Sequence, residues 1–172
     1  MNFGMYRKEI NQMIASLPDE ELVKVYWSIE EIRQKYLFTK NMLDKGVVIL
    51  TLLEKEHGIM DLWDSSFAKN ISDETKSKIR YNQYKWHIFS YKKQECFEKE
   101  AARNAFDAMT KNELYVMYQN ISDIVFEYNN ANDIVASDFD YEQDIYIFDK
   151  NFTWTYIHTH ESMCGPYFYK IV

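Results

Sequence analysis

The chain has 172 residues, of which 47% are hydrophobic and 17% aromatic, and it carries 20 basic against 27 acidic side chains, a net charge of −7. This composition excludes an intrinsically disordered chain, which is poor in aromatic residues. The length allows a hydrophobic core without disulfide bonds. The surplus of negative charge disfavours direct binding of nucleic acid, because phosphate groups repel it.

The sequence carries no targeting or membrane-spanning signal that we recognise. The N-terminus lacks a long apolar region with a cleavage site, so we expect no signal peptide. The longest apolar stretch, residues 47–53, is too short to cross a bilayer, and we expect no membrane contact. We therefore expect a cytoplasmic protein in which Cys96 and Cys164 are free thiols.

Two helices are predicted at the start of the chain, over residues 5–16 and 18–45. Pro18 and the three acidic residues after it favour a helix start, because proline fits the first turn and carboxylates stabilise the positive end of the dipole. Gly46 can end the second helix in a left-handed conformation. An apolar stripe at steps of three and four runs along that helix: Leu22, Val25, Ile29, Ile32 and Tyr36. The stripe suits packing on the protein's own core, and it also suits a homo-oligomer formed through helix 18–45.

The middle of the chain is predicted to continue mainly as helices. Residues 47–53 fit a buried strand because they are rich in Val and Leu. Helices are then expected over residues 61–69, from an N-cap at Ser72 to about Tyr91, and over residues 97–109.

After Asn112 the spacing of apolar residues changes from 3.6 to 2, which is typical of strands. Five strands are predicted, at residues 114–119, 124–128, 144–148, 152–159 and 166–171. Short connections favour antiparallel pairing. We predict an α+β fold with N-terminal helices packed on one face of a C-terminal antiparallel sheet of about five strands. Residues 46–172 would form the α+β domain and residues 1–45 an appended helical pair.

Two aromatic blocks resemble a known family. They are WHIFSY at residues 86–91 and DIYIFDKNFTWTY at residues 144–156, the second continuing to residue 168. Both resemble the bacterial family known as domain of unknown function 4275, over about residues 46–170. The resemblance implies the family's fold and no mechanism, since the family has no established activity. The second block is also similar to the sheet of bacterial immunity proteins, which neutralise toxins by binding them.

The histidines of the second block form the best candidate for chemistry. Alternation along a strand predicts one shared face for Phe152, Trp154, Tyr156, His158 and His160. Two histidines at i and i+2 can both reach one zinc ion, with Glu161 or Cys164 as a further ligand and His87 added from the helical half. The simpler expectation is structural: one imidazole hydrogen-bonds in the sheet and the other lies at a solvated strand end.

No motif in the sequence specifies a reaction. There is no nucleophile elbow, phosphate-binding glycine loop or dinucleotide fingerprint. We therefore predict a non-enzymatic protein without a cofactor that binds or inhibits another protein, as immunity, antitoxin or anti-defence proteins of bacteria and phages do. The candidate binding residues are Trp86, His87, Trp154, Tyr156, His158, His160, Glu161 and Tyr167. The alternative is a small metal-dependent enzyme or metal sensor that uses His87, His158 and His160.

Overall fold

The computed structural model describes residues 2–171. Contacts within the chain define two units, a helical unit that ends at Lys40 and a larger unit that begins at Asn41. The larger unit combines helices with one antiparallel sheet. The predicted α+β fold class is therefore confirmed.

The elements follow one another along the chain with short connections. The helices are α1 (Phe3–Ala15), α2 (Asp19–Asp44), α3 (Glu54–His57), α4 (Ile59–Phe67), α5 (Asp73–Lys78), α6 (His87–Ser90) and α7 (Lys99–Asp107), with a 3-10 helix at Ala136–Phe139. The strands are β1 (Val48–Leu53), β2 (Phe97–Glu98), β3 (Glu113–Tyr118), β4 (Ile124–Asn129), β5 (Ile145–Asp149), β6 (Trp154–His158) and β7 (Tyr167–Lys170). Among residues 2–171, no helix combines the length and the apolar character needed to span a bilayer.

Helix α2 ends as its sequence predicts. Gly46 adopts a left-handed conformation with φ of 74°. Its N–H donates to the carbonyl of Leu43 at 2.9 Å, and the N–H of Val47 donates to the carbonyl of Met42 at 3.0 Å. These two bonds form a Schellman motif, in which the side chains of Met42 and Val47 are both buried. The motif directs the chain from the helix into β1.

The sheet has seven strands in the order β1-β4-β3-β5-β6-β7-β2, and every neighbouring pair is antiparallel. The five predicted strands form its centre, and β1 and β2 add an edge on each side, so the count is seven and not about five. The strand predicted at residues 47–53 exists as β1, but the prediction that it is buried was wrong. Val48 and Leu50 are almost half exposed because β1 has a neighbour on one side only.

Helices cover both faces of the sheet. On β6, Trp63 of α4 donates its indole N–H to Thr155 Oγ1 at 3.2 Å, while Phe106 of α7 stacks on Tyr156 with 4.5 Å between ring centroids. Successive residues of a strand point to opposite faces. Helices α4 and α7 therefore lie on opposite sides, so the helical layer predicted for one face has a counterpart on the other.

Two helix boundaries differ from the prediction. The helix expected from Ser72 to about Tyr91 is two short helices, because Arg80 adopts a left-handed φ of 54° after α5. The N-cap at Ser72 is confirmed, since its hydroxyl accepts the N–H of Thr75 at 3.3 Å. The helix expected from residue 97 starts at Lys99, because Phe97 and Glu98 pair with β7. The first difference matters for function, since it leaves residues 84–86 in a turn that faces the end of β5.

Candidate functional site

The two aromatic motif blocks meet at one buried side chain, Asp144. Its side chain accepts the indole N–H of Trp86 at 2.9 Å, and His160 Nδ1 lies 2.9 and 2.8 Å from its two carboxylate oxygens. The backbone N–H of His160 also donates to it at 3.3 Å. Asp144 is only 4% exposed, and a buried carboxylate is tolerated when its oxygens are hydrogen-bonded in this way.

The strand register explains why these groups meet. Asp144 immediately precedes β5, and His160 follows the end of β6. Strands β5 and β6 are antiparallel neighbours in which Ile145 pairs with His158. The residues just outside this pair therefore lie at the same end of the sheet. Asp144 has φ of 50°, a left-handed conformation that Asp tolerates better than most residues.

An aromatic group surrounds His160 and His87. The ring of His160 lies 5.0 Å from Tyr84 and 6.0 Å from Trp86, measured between centroids. The ring of His87 lies 5.4 Å and 4.5 Å from the same two rings. His87 Nδ1 is 2.6 Å from the carbonyl of Ile79, so this nitrogen carries the proton because a carbonyl only accepts. His87 and His160 thus share aromatic neighbours without a direct hydrogen bond between them.

A polar network holds the turn before α6 against the sheet. The hydroxyl of Tyr146 donates to Gln119 Oε1 at 2.6 Å and accepts the backbone N–H of Trp86 at 3.1 Å. The same Gln119 oxygen accepts the N–H of Lys85 at 3.1 Å, and the N–H of Gln119 donates to the carbonyl of Asp144 at 2.9 Å. Full burial raises the pKa of Tyr146 well above its ordinary value. The Tyr146 hydroxyl therefore keeps its proton, and its hydrogen bonds hold Trp86 beside Asp144.

Sequence reasoning missed Asp144, Gln119 and Tyr146 as members of this site. Each is an ordinary polar residue at a strand or a strand end, and its partner is distant in the chain. The one local signal was the position of Asp144 directly before the apolar residues of β5, because a carboxylate at a buried strand end needs hydrogen-bond donors.

The shared face predicted for residues 152–160 exists in part. Trp154 and Tyr156 both contact Phe106 and lie on the α7 side, as alternation predicts. The prediction was wrong for Phe152, which contacts Phe148 on the α4 side because its φ of 54° breaks the alternation before β6 begins. It was also wrong for His160, which lies beyond the last residue of β6 and packs on Trp86.

His158 is held separately from His160. It is the last residue of β6, and its Nδ1 lies 2.7 Å from the backbone carbonyl of Glu142. The Glu142 side chain in turn accepts the hydroxyl of Tyr118 at 2.7 Å. The imidazoles of His158 and His160 therefore have different partners, the backbone carbonyl of Glu142 and the side chain of Asp144.

Most predicted binding residues lie in the core. None of the following is more than 9% exposed: Trp86, His87, Trp154, Tyr156 and Tyr167. Their side chains support the fold and are out of reach of a partner. His158, His160 and Glu161 remain accessible, and all three line the same cleft.

This cleft has a volume of about 370 Å³ and lies at the end of the sheet. Its lining consists of residues 140–143, 158–162 and 164–166. Three carboxylates contribute to it. Asp140 forms a bidentate ion pair with Arg103 at 2.7 and 3.1 Å, and Glu161 lies 3.8 Å from His160 Nε2. Glu142 supplies the third. Tyr141 in the lining and Met163 beside it are 76% and 82% exposed.

The thiols are poor nucleophiles in this environment. Burial and the carboxylate of Glu98 raise the pKa of Cys96 to about 12. Burial and Glu161 also raise the pKa of Cys164, which lines the cleft. A thiol with a raised pKa carries little reactive thiolate at neutral pH. Within residues 2–171, no three side chains of His, Cys, Asp or Glu are arranged to hold a metal ion.

The fold and the site define an α+β domain in which two aromatic motif blocks converge on a buried aspartate. The family model described as Domain of unknown function (DUF4275) matches residues 37–168. This region contains both blocks and more than half of the chain, so the chain belongs to that family. The resemblance identified from the two blocks is confirmed, and the matched region begins within α2. Comparison with curated proteins and with solved structures gave no match.

Proposed function

We propose that this protein acts by binding another protein and that the cleft beside His160 receives a basic side chain of that partner. The observation that carries the proposal is the presence in the cleft of two carboxylates, Glu142 and Glu161, beyond the Asp140 that pairs with Arg103, together with two exposed apolar side chains, Tyr141 and Met163. Lys and Arg have apolar stems and cationic ends. Such a side chain can lie along Tyr141 while its charge approaches Glu161.

The distribution of charge supports a basic partner. Residues 41–172 contain 14 basic and 21 acidic side chains, which accounts for the whole net charge of −7. A surface of one sign attracts a partner of the opposite sign and speeds their association. Nucleases and other proteins that act on nucleic acid present basic surfaces. An inhibitor of such a protein, of the immunity, antitoxin or anti-defence type in a bacterium or phage, is the kind of function that we propose.

The experiment compares capture of proteins by the full chain and by Glu161→Lys. Each is immobilised and exposed to a lysate of the source organism at low salt, and retained proteins are identified by mass spectrometry. We expect a basic protein that the unaltered chain retains and Glu161→Lys loses, because the new lysine repels it. The bound protein is then purified and its affinity measured at increasing salt, where it should fall.

Glu56→Lys is the matched control. Glu56 is exposed and does not line the cleft, and its substitution changes the net charge equally. Equal losses for both variants would indicate non-specific attraction. Retention of no protein by the unaltered chain at micromolar concentration would overturn the proposal.

A second candidate, a metal-dependent enzyme or metal sensor, has one specific observation in its favour. His158 and His160 line the same cleft. The Nδ1 atom of His158 is hydrogen-bonded to the carbonyl oxygen of Glu142, and that of His160 to the carboxylate of Asp144. Metal-binding histidines use this arrangement, because a hydrogen bond at one nitrogen orients the other toward the metal. His87 supplies no direct ligand here, since its ring is buried against Trp86.

Metal analysis separates the two candidates. Protein purified without an affinity tag is dialysed against zinc, and bound metal is measured for the unaltered chain, His160→Ala and the exposed control His57→Ala. Stoichiometric zinc that only His160→Ala loses would favour the metal site. Equal, weak binding by all three would remove it.

A further inference from the structure

We propose that the helical unit pairs with that of a second copy of this chain, with the two α2 helices antiparallel across a two-fold axis near Ile32. This inference is independent of the proposed function, which concerns the other unit. It concerns the part of the protein whose apolar side chains are the least covered.

The apolar side chains of the helical unit are exposed to an unusual extent. Helix α1 has no buried residue, and the only buried residue of α2 is Met42, which belongs to the larger unit. Between residues 26 and 37 of α2, six large apolar side chains are each 39–69% exposed: Tyr26, Trp27, Ile29, Ile32, Tyr36 and Leu37. Contiguous exposed apolar surface of this kind marks an interaction site.

Three of the exposed residues form a face that can pair with itself. Ile29, Ile32 and Tyr36 follow one another at steps of three and four, so they lie along one side of the helix. They are centred near the middle of the Asp19–Asp44 helix. When two such helices lie antiparallel with Ile32 near the axis, Ile29 of each copy lies opposite Tyr36 of the other. This is the self-complementary geometry that a two-fold interface requires.

Charge favours a second copy as the occupant. Residues 1–40 contain six basic and six acidic side chains, so the helical unit is neutral although the whole chain carries −7. Ion pairs within α2 hold several of these charges, for example Glu30 with Arg33 at 3.1 Å and Glu31 with Lys35 at 2.7 Å. Because the helical unit is neutral, it does not repel the helical unit of a second copy. The larger unit is acidic and would repel an acidic partner.

The charges are also ordered along α2. Five of the six charged residues between 19 and 31 are acidic, and the three between 32 and 40 are all basic. An antiparallel pair places the acidic half of one helix along the basic half of the other, while a parallel pair places like charges together. The charge pattern therefore selects the antiparallel arrangement.

The exposed apolar area of the whole helical unit is comparable with the area that a stable dimer buries. Thirteen large apolar side chains between Phe3 and Leu37 are 37–69% exposed. An aromatic side chain has roughly 200 Å² of surface, so these residues together expose on the order of 1,000 Å². A stable interface needs about 800 Å² from each partner. The proposed interface therefore requires apolar residues of α1 in addition to the face of α2.

The first test measures the mass of the full chain in solution by light scattering over a range of micromolar concentrations. We expect a dimer for the unaltered chain and a monomer for Ile32→Asp, which places a charge at the axis. Met163→Asp is the matched control, since Met163 is at least as exposed and lies in the other unit. Circular dichroism checks that both variants remain folded. A monomeric unaltered chain, or a dimer that Ile32→Asp leaves intact, would overturn the proposal.

The second test determines the direction of pairing by disulfide cross-linking. Single cysteines are introduced as Ile29→Cys, Ile32→Cys or Tyr36→Cys, with both native cysteines replaced by serine. In the antiparallel pair, Ile32→Cys links to itself, and the Ile29→Cys and Tyr36→Cys chains link to each other when mixed. Self-linking of all three variants would indicate parallel helices and contradict the proposal. Capture of a different protein by an unaltered monomer, lost in Ile32→Asp, would assign the face to another partner and also overturn it.

Discussion

The imidazole of His160 and the carboxylate of Asp144 form a close pair, with Nδ1 2.9 and 2.8 Å from the two carboxylate oxygens. Asp144 is buried and His160 is partly exposed. The carboxylate accepts a hydrogen bond from the Nδ1–H group of His160, and this bond fixes the orientation of the ring beside the cleft. Trp86 donates to the same carboxylate from the other motif block. Asp144 therefore connects the segment before α6 with the end of the sheet.

Asp144→Asn should destabilise the protein by about 1–3 kcal/mol, because an NH2 group in place of one buried carboxylate oxygen cannot accept the hydrogen bonds of the Trp86 indole and His160 Nδ1 at that position. Asparagine tolerates the left-handed backbone at this position, so the loss reports the side chain and not backbone strain. Urea unfolding followed by tryptophan fluorescence measures the difference. Glu161→Gln is the control, since Glu161 is about half exposed and should change stability by less than about 0.5 kcal/mol. A loss for Asp144→Asn no larger than that of the control would contradict this account.

Lys111, which is buried, should contribute far more to stability than an exposed lysine such as Lys93. Its Nζ donates to the carbonyls of Phe106, Asp107 and Met109 at 2.9, 3.1 and 2.9 Å and so satisfies the end of α7. Lys111→Met keeps the apolar stem and removes the donors, and we expect a loss of about 2 kcal/mol. The same unfolding measurement on Lys93→Met, at an exposed position, should show almost no change. Similar stability of the two variants would argue against a capping role.

Alkaline pH should unfold the protein together with the ionisation of six of its 14 tyrosines. Burial is the largest cause of a raised pKa for six tyrosines: Tyr81, Tyr118, Tyr128, Tyr146, Tyr156 and Tyr167. Because their folded pKa values lie above the unfolded value of about 10, the stability they contribute is present below that pH. It is lost as the pH rises toward the folded values. The part of the tyrosinate absorbance that comes from these six tyrosines should therefore appear only as the circular dichroism signal is lost, and their ionisation with intact structure would refute the prediction.

Both cysteines should react slowly while the protein is folded. A pKa raised from 9.0 to about 12 leaves Cys96 with about a thousandfold less thiolate near pH 8 than an unshifted thiol has. The pKa of Cys164 is raised as well. Alkylation with iodoacetamide, followed by mass spectrometry, should be slow in buffer and fast in urea for both residues. Rapid labelling of Cys96 in the folded protein would show that its thiol is more accessible or more acidic than the structure indicates.

The sequence predicted local structure well where a local cause exists. Pro18 with its acidic neighbours gave the start of α2, Gly46 its end, and Ser72 the N-cap of α5, because each signal acts within one turn of the chain. The change to a two-residue period gave the five central strands. The long aromatic blocks gave the family, which the match over residues 37–168 confirms.

Predictions failed where a distant partner decided the outcome. Residues 72–91 have helical spacing, yet Arg80 takes a left-handed conformation and the following turn packs Trp86 against Tyr146 and Asp144. Phe97 and Glu98 form a strand because β7 offers an unpaired edge. Alternation along the strand predicted that His160 lies on the same face as Trp154, but β6 ends at His158 and does not include His160. In each case a tertiary contact outweighed the local conformational preference, because the free energy of a local preference is smaller than that of a tertiary contact.

The sequence by itself determined the fold class, the central strands, both ends of α2, the N-cap of α5 and the family, because these depend on spacing and on residues that act on their near neighbours. Only the tertiary structure decided which residues form the candidate site. It buried five of the proposed binding residues, made Asp144 the meeting point of both blocks and left the apolar face of α2 exposed. The physical reason is that burial and hydrogen-bond partners depend on which distant segments come together, and spacing along one segment does not contain that information.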